Sequence, residues 1–85
     1  MMEFRYFSRV TPGDKHIKLF VLAVDDKNQE MYEVALEKGK FVDTSELMKV
    51  IIDGSQDLEE ISKKEAMDIY SGAGVEKAFE DRFGQ

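Results

Sequence analysis

The 85-residue sequence contains no cysteine and no tryptophan, and it has one proline and one histidine. The absence of cysteine excludes disulfide bonds, thiolate zinc sites and cysteine nucleophiles. Because small secreted domains usually depend on disulfides, we expect a protein of the cytoplasm. The longest apolar run, residues 19–24, is far shorter than the roughly 20 residues of a membrane-spanning helix, and residues 1–6 lack the apolar core of a signal peptide. No membrane association is expected.

The composition is that of one small folded domain spanning residues 1–85. Hydrophobic residues make up 42% of the chain and charged residues 35%, which is too apolar for a disordered tail. The net charge of −6 is unevenly placed, since residues 1–28 carry +1 and residues 29–85 carry −7. This balance opposes non-specific phosphate binding. It leaves two interpretations of the acidic half, an ordinary solvated surface or a face that meets a basic partner.

The first half of the chain predicts β-strands. Apolar and polar residues alternate in most of this region, and the second strand is a near-continuous apolar run, which is typical of a central strand covered on both faces. The four predicted strands are 3–10, 16–24, 30–37 and 41–42. Pro12-Gly13 has the pattern of a type II turn, and Lys38-Gly39 that of a tight hairpin turn. Short connections between these strands favour an antiparallel meander.

The period of the hydrophobic pattern changes after residue 42, and residues 44–83 predict helices. Asp43 is placed as the N-cap of the first helix, with Glu46 as its third residue. Gly54 is expected to end this helix.

Two further helical segments follow. Ser62 and Glu65 match a capping box at the start of the second helix, and residues 75–83 form a last amphipathic segment. The chain is therefore expected to be an α+β domain, a meander of three or four strands followed by two or three short helices packed on the sheet. The expected core residues are Leu19, Val21, Val34, Leu36, Leu47, Ile51, Ile69 and Phe79.

The sequence predicts no catalytic residue, no cofactor motif and no metal site. His16 is the only histidine, and at the start of a strand it is expected to face solvent rather than to act as a general base. Residues 53–60 are rich in acids, but their spacing does not match a calcium-binding loop, and we predict an acidic turn between helices. Residues 71–74 do not complete a phosphate-binding motif. An enzyme is not expected, except as a subunit that lends residues to a shared site.

One face of the first two strands carries aromatic rings bordered by cations. Its six residues, the candidate partner-binding set, are Arg5, Phe7, Arg9, Lys18, Phe20 and Leu22. Three kinds of cover fit this face: the chain's own helices, a partner protein or second copy, or single-stranded nucleic acid whose bases stack on the rings. We predict a partner interface, with Phe7 or Phe20 outside the domain's own core, because aromatic residues and arginine are enriched in interfaces.

The function that these patterns favour is that of a small acidic interaction module that binds another protein or a second copy of itself. The alternative is a single-stranded nucleic-acid-binding domain that uses the arginine and aromatic face. Nucleic acid is the less favoured partner because the net charge of −6 opposes phosphate.

Overall fold

A computed structural model of the chain describes residues 2–52 and 57–84, except for the side chains of Val50 and Ile51. Within these residues the chain forms one five-stranded antiparallel sheet and three short α-helices, which confirms the α+β class. The elements are β1 (Met2–Thr11), β2 (Lys15–Asp25), β3 (Glu30–Glu37), β4 (Lys40–Asp43), α1 (Glu46–Ile52), β5 (Leu58–Ile61), α2 (Lys63–Ile69) and α3 (Val75–Phe83). The strand order is β4-β3-β2-β1-β5, so β2 is central, as predicted.

Two tight turns set the register of the meander. Between β1 and β2, Gly13 has a φ of 97° and the Asp14 N–H donates to the Thr11 carbonyl oxygen at 3.1 Å, which confirms the predicted type II turn. Between β3 and β4, Lys38 and Gly39 have φ values of 52° and 78°, a geometry whose twist suits a two-residue hairpin. Paired residues of neighbouring strands therefore point to the same face over the middle of the sheet.

The strand β5 occupies part of the segment for which the sequence predicts an acidic turn between helices. Leu58 and Ile61 contact apolar clusters on opposite faces of the sheet, while Glu59 and Glu60 are exposed. Charged side chains of this kind protect a short edge strand against pairing with other chains. Because only two of its four residues are apolar, β5 depends on pairing with β1 rather than on its own pattern.

The first face of the sheet is covered by α2 and α3. Four of the expected core residues are buried on this side: Leu19, Val21, Val34 and Phe79. Leu36 is only partly buried, and the prediction that Ile69 belongs to the core is wrong, because this side chain is 39% exposed. Ala66 of α2 and Tyr70, the residue that caps its C-terminus, share the buried side four residues apart, and this spacing leaves Ile69 at the margin.

The predicted start of α2 and the predicted range of α3 are confirmed. The Glu65 N–H donates to the Ser62 hydroxyl and the Ser62 N–H donates to the Glu65 carboxylate, both at 3.1 Å, which completes the capping box. The helix α3 ends at Gly84, whose φ of 71° gives the left-handed conformation of a helix C-cap.

The second face of the sheet is covered by α1, which has seven residues. Leu47 is fully buried there, as predicted, and it belongs to the cluster that α1 forms with β1, β2 and β3. The sheet therefore separates two apolar clusters, one on each face.

The start of α1 differs from the prediction. Asp43 is the last residue of β4 and lies opposite Val34 in the ladder, so the predicted N-cap at Asp43 is wrong. The Glu46 N–H instead donates to the Thr44 hydroxyl at 3.1 Å. The predicted burial of Ile51 and the predicted helix end at Gly54 lie outside the described residues.

Candidate partner-binding surface

The candidate partner-binding set lies on the second face, and its apolar members are buried within the chain. Phe20 is fully buried, and Phe7 and Leu22 are each 8% exposed, in one cluster with Leu47 of α1. The prediction that Phe7 or Phe20 lies outside the domain's own core is therefore wrong. The physical reason is the docking of α1, the intramolecular cover that the sequence left open as an alternative.

The three cations of the set form ion pairs with acids of the chain's second half. The pairs are Arg5–Glu60, Arg9–Glu46, Arg9–Asp57 and Lys18–Glu46, with N–O distances of 2.8, 3.3, 3.2 and 2.8 Å. The hydrogen bond from Lys18 lowers the pKa of Glu46, and the bonds from Arg5 lower the pKa of Glu60. Sequence reasoning missed these pairs because the Lys18–Glu46 and Arg5–Glu60 partners are 28 and 55 residues apart along the chain.

Two of these cations also lie over the buried rings. The Arg5 guanidinium carbon is 5.3 Å from the centroid of the Phe7 ring, and the Lys18 ammonium nitrogen is 5.4 Å from that of Phe20. Base stacking needs an exposed aromatic face beside a positively charged groove. Here the rings are covered and the cations are paired with carboxylates, so no observation favours the nucleic-acid alternative.

At the margin of α1, the second face carries a groove that we call the methionine groove. It is lined by Met31 and Glu33 of β3, by Thr44 and by Met48 of α1, and its volume is ≈ 330 Å³. Met31 is 61% exposed and Met48 is 41% exposed, in contrast to the buried rings nearer the centre of the sheet. Apolar side chains that line an exposed concave surface are typical of a binding site.

Sequence reasoning missed the methionine groove because its residues come from separate elements. Met31 points to the same face of the sheet as the residues that α1 covers, and it lies opposite Val24 in the ladder. Alternation along β3 does not show where the helical cover ends. The sequence predicts the burial of Leu47, but how much of the adjacent Met48 stays exposed depends on the docked orientation of α1. The available signal was the shortness of the predicted first helix relative to the sheet.

One of the described residues that line the methionine groove is acidic. Glu33 is half-buried among its lining residues, and none of the described residues forms an ion pair with it. Glu30 and Tyr32, on either side of Met31 in β3, face the first side of the sheet, where Glu30 accepts a hydrogen bond from the Tyr32 hydroxyl and raises the pKa of Tyr32. Asp25 lies opposite Glu30 in the ladder, on the same first face and away from the groove. The groove therefore presents the negative charge of Glu33 to a binding partner.

A polar cluster on the first face corrects the expectation that His16 faces solvent. His16 is half-buried, and its Nδ1 lies 2.7 Å from the hydroxyl of Ser8, which in turn lies 2.6 Å from the hydroxyl of Tyr70. Ser8 is fully buried, so its hydroxyl is not accessible as a nucleophile. Burial raises the pKa of Tyr70. The cluster satisfies polar groups inside the core, and this is the role that the geometry supports.

The acids that the sequence gathers in residues 53–60 take different positions. Residues 53–56 lie outside the described part of the chain, whereas Asp57 and Glu60 accept hydrogen bonds from Arg9 and Arg5. In residues 2–52 and 57–84, no three metal-ligating side chains come together as a potential ion site.

The chain matches no protein-family model, no curated protein and no solved structure. None of the helices in the described ranges has the length and apolar character needed to cross a membrane.

Proposed function

We propose that this chain is a small interaction module that acts by binding another protein, and that the methionine groove is its contact surface. The observation that carries the proposal is the exposure of Met31 and Met48 on the two sides of one groove. Methionine is flexible and polarisable, so it adapts to different apolar partners and is common on binding surfaces. The carboxylate of Glu33 adds a charge that would attract a basic partner.

Apolar residues close to the groove enlarge the surface that a partner would cover. Val42 of β4 is 36% exposed on the same face, and Ile52 at the end of α1 is 76% exposed. A stable interface buries about 800 Å² on each partner. The groove supplies the anchor points of such an interface, and Glu33 and Thr44 supply polar groups beside them. The cysteine-free composition supports a cytoplasmic setting for this binding.

The test compares two double variants that remove the same kind of exposed apolar surface. Met31→Ser with Met48→Ser alters the groove, while Ile17→Ser with Ile69→Ser alters exposed residues of the first face, which are 50% and 39% exposed. Both variants are expected to stay folded, because none of these side chains is buried. Each is used with wild type for affinity capture from native lysate with quantitative mass spectrometry.

We expect a defined protein that wild type and the first-face variant retain and that the groove variant loses. Sedimentation velocity of the purified proteins measures the other possible occupant, a second copy of the chain. A concentration-dependent dimer that disappears only in the groove variant would show that the groove binds a second copy of the chain and not another protein. Capture of the same proteins by all three forms would refute the assignment of the groove.

A further inference from the structure

The carboxylate of Glu33 distinguishes the methionine groove from an ordinary apolar patch. Other carboxylates of the second face that are partly shielded from solvent, Glu46 and Asp57, have cations of the chain within 3.3 Å. Glu33 is also half-buried, but it has no ion-pair partner among the described residues. A carboxylate that is partly removed from water and lacks a counter-charge gains more from a bound cation than one in open solvent does.

We propose that the methionine groove binds a lysine or arginine side chain of the partner protein. The aliphatic stem of that side chain packs against Met31 and Met48, and its charged head donates hydrogen bonds to the carboxylate of Glu33. This inference rests on the proposed function, because it names the chemistry that the same surface recognises. It assigns to the groove a specificity for basic side chains, in addition to its affinity for apolar ones.

The composition of the groove fits an amphipathic side chain better than a purely apolar one. Lysine and arginine bury their methylene stems along apolar surface and keep the charge at a polar boundary. The groove has this pattern, with two thioether side chains, one carboxylate and the hydroxyl-bearing Thr44 along its lining. A purely apolar side chain would cover Glu33 and give nothing to compensate the lost hydration of its carboxylate.

The experiment uses the full chain and three short peptides as probes. Acetyl-Ala-Lys-Ala-amide carries the stem and the charge, the norleucine analogue carries a stem of similar length without charge, and acetyl-Ala-Arg-Ala-amide tests the second basic side chain. Binding is followed by the ε-methyl NMR signals of the chain's five methionines, labelled with carbon-13. Saturable shifts are expected at Met31 and Met48 and not at Met67, which packs against the core of the first face.

Two matched variants separate a specific contact from general attraction to an acidic protein. Glu33→Gln and Glu37→Gln each remove one negative charge from β3, and both positions lie on the second face, but Glu37 is exposed and outside the groove. Glu33→Gln is expected to weaken lysine-peptide binding about fivefold, to the level of the norleucine peptide. Glu37→Gln is expected to change it less than twofold.

Three results would overturn the inference. Equal binding of the lysine and norleucine peptides would show that the groove recognises only the apolar stem and not the charge. Equal weakening by Glu33→Gln and Glu37→Gln would show that net charge, and not a contact in the groove, attracts the peptide. Saturable binding by none of the peptides would also reject it, while the capture comparison would still decide the proposed function, since a groove can bind a protein without this side chain.

Discussion

The burial of Leu47 predicts how much of the stability of the domain depends on α1. The Leu47 side chain packs within the apolar cluster of the second face and is 0% exposed to solvent. Truncation to alanine removes this burial and leaves a cavity, which costs about 2–5 kcal/mol of unfolding free energy. Proteins have only about 0.05–0.15 kcal/mol of stability per residue, or roughly 4–13 kcal/mol at this length. Leu47→Ala is therefore expected to lower the melting temperature by at least about 8 °C.

The matched control is Met48→Ala, because it changes the next residue of the same helix, where the side chain is 41% exposed. Its expected cost is below about 1 kcal/mol. Urea unfolding followed by circular dichroism measures both variants, and unchanged slopes would confirm that the two-state comparison is valid. If Leu47→Ala and Met48→Ala unfold at the same urea concentration, α1 does not cover the second face in the way described, and the location of the methionine groove loses its basis.

Three further predictions concern a helix cap and two titrating groups. Ser62→Ala removes the capping-box hydroxyl and should cost about 0.5–2 kcal/mol in urea unfolding, and an unchanged midpoint would contradict the cap. Burial raises the pKa of Tyr6 to about 12, so absorbance at 295 nm should show one phenol ionising only near that pH in the folded chain, and in Tyr6→Phe this step should be absent. Because the folded pKa of Tyr6 lies above its unfolded value near 10, its contribution to stability is complete below pH 10 and is lost as the pH rises toward 12. The hydrogen bond from Lys18 lowers the pKa of Glu46, so the contribution of Glu46 to stability is complete above pH 4.5, its ordinary pKa, and is lost as the pH falls below that value. The stability difference between wild type and Lys18→Gln should therefore shrink over this acid range. A difference that stays constant would contradict the Lys18–Glu46 ion pair.

The elements that local rules specify agree with the sequence predictions. The strand β3, the capping box at Ser62 and the helix α3 depend on alternation, on a hydrogen-bonding pair three residues apart and on a 3.6-residue period. Each of these signals lies within about ten residues of chain. For the same reason the turn at Gly13 is recognisable, since its φ of 97° is a conformation that glycine adopts without strain.

The features that depend on tertiary contacts were not predictable in the same way. The strand β5 has two apolar residues and exists through its pairing with β1, more than 45 residues earlier in the chain. The ion pair between Arg5 and Glu60 joins the mildly basic first part of the chain to its acidic second part. The composition shows this charge asymmetry, but it does not show that some of the acids form ion pairs with the chain's own cations.

The position of the methionine groove follows from the length of α1 and from where the helix is held. Seven residues of helix span about 10 Å, while the four spacings across a five-stranded sheet sum to about 19 Å. One short helix therefore leaves part of the second face uncovered. Glu46, the first residue of α1, is tied to Lys18 of β2 and Arg9 of β1, and Leu47 is buried beside it. These contacts hold the start of the helix over the two N-terminal strands. The part of the second face that α1 leaves uncovered is therefore at β3, where Met31 and Glu33, together with Met48 of α1, remain accessible to a partner.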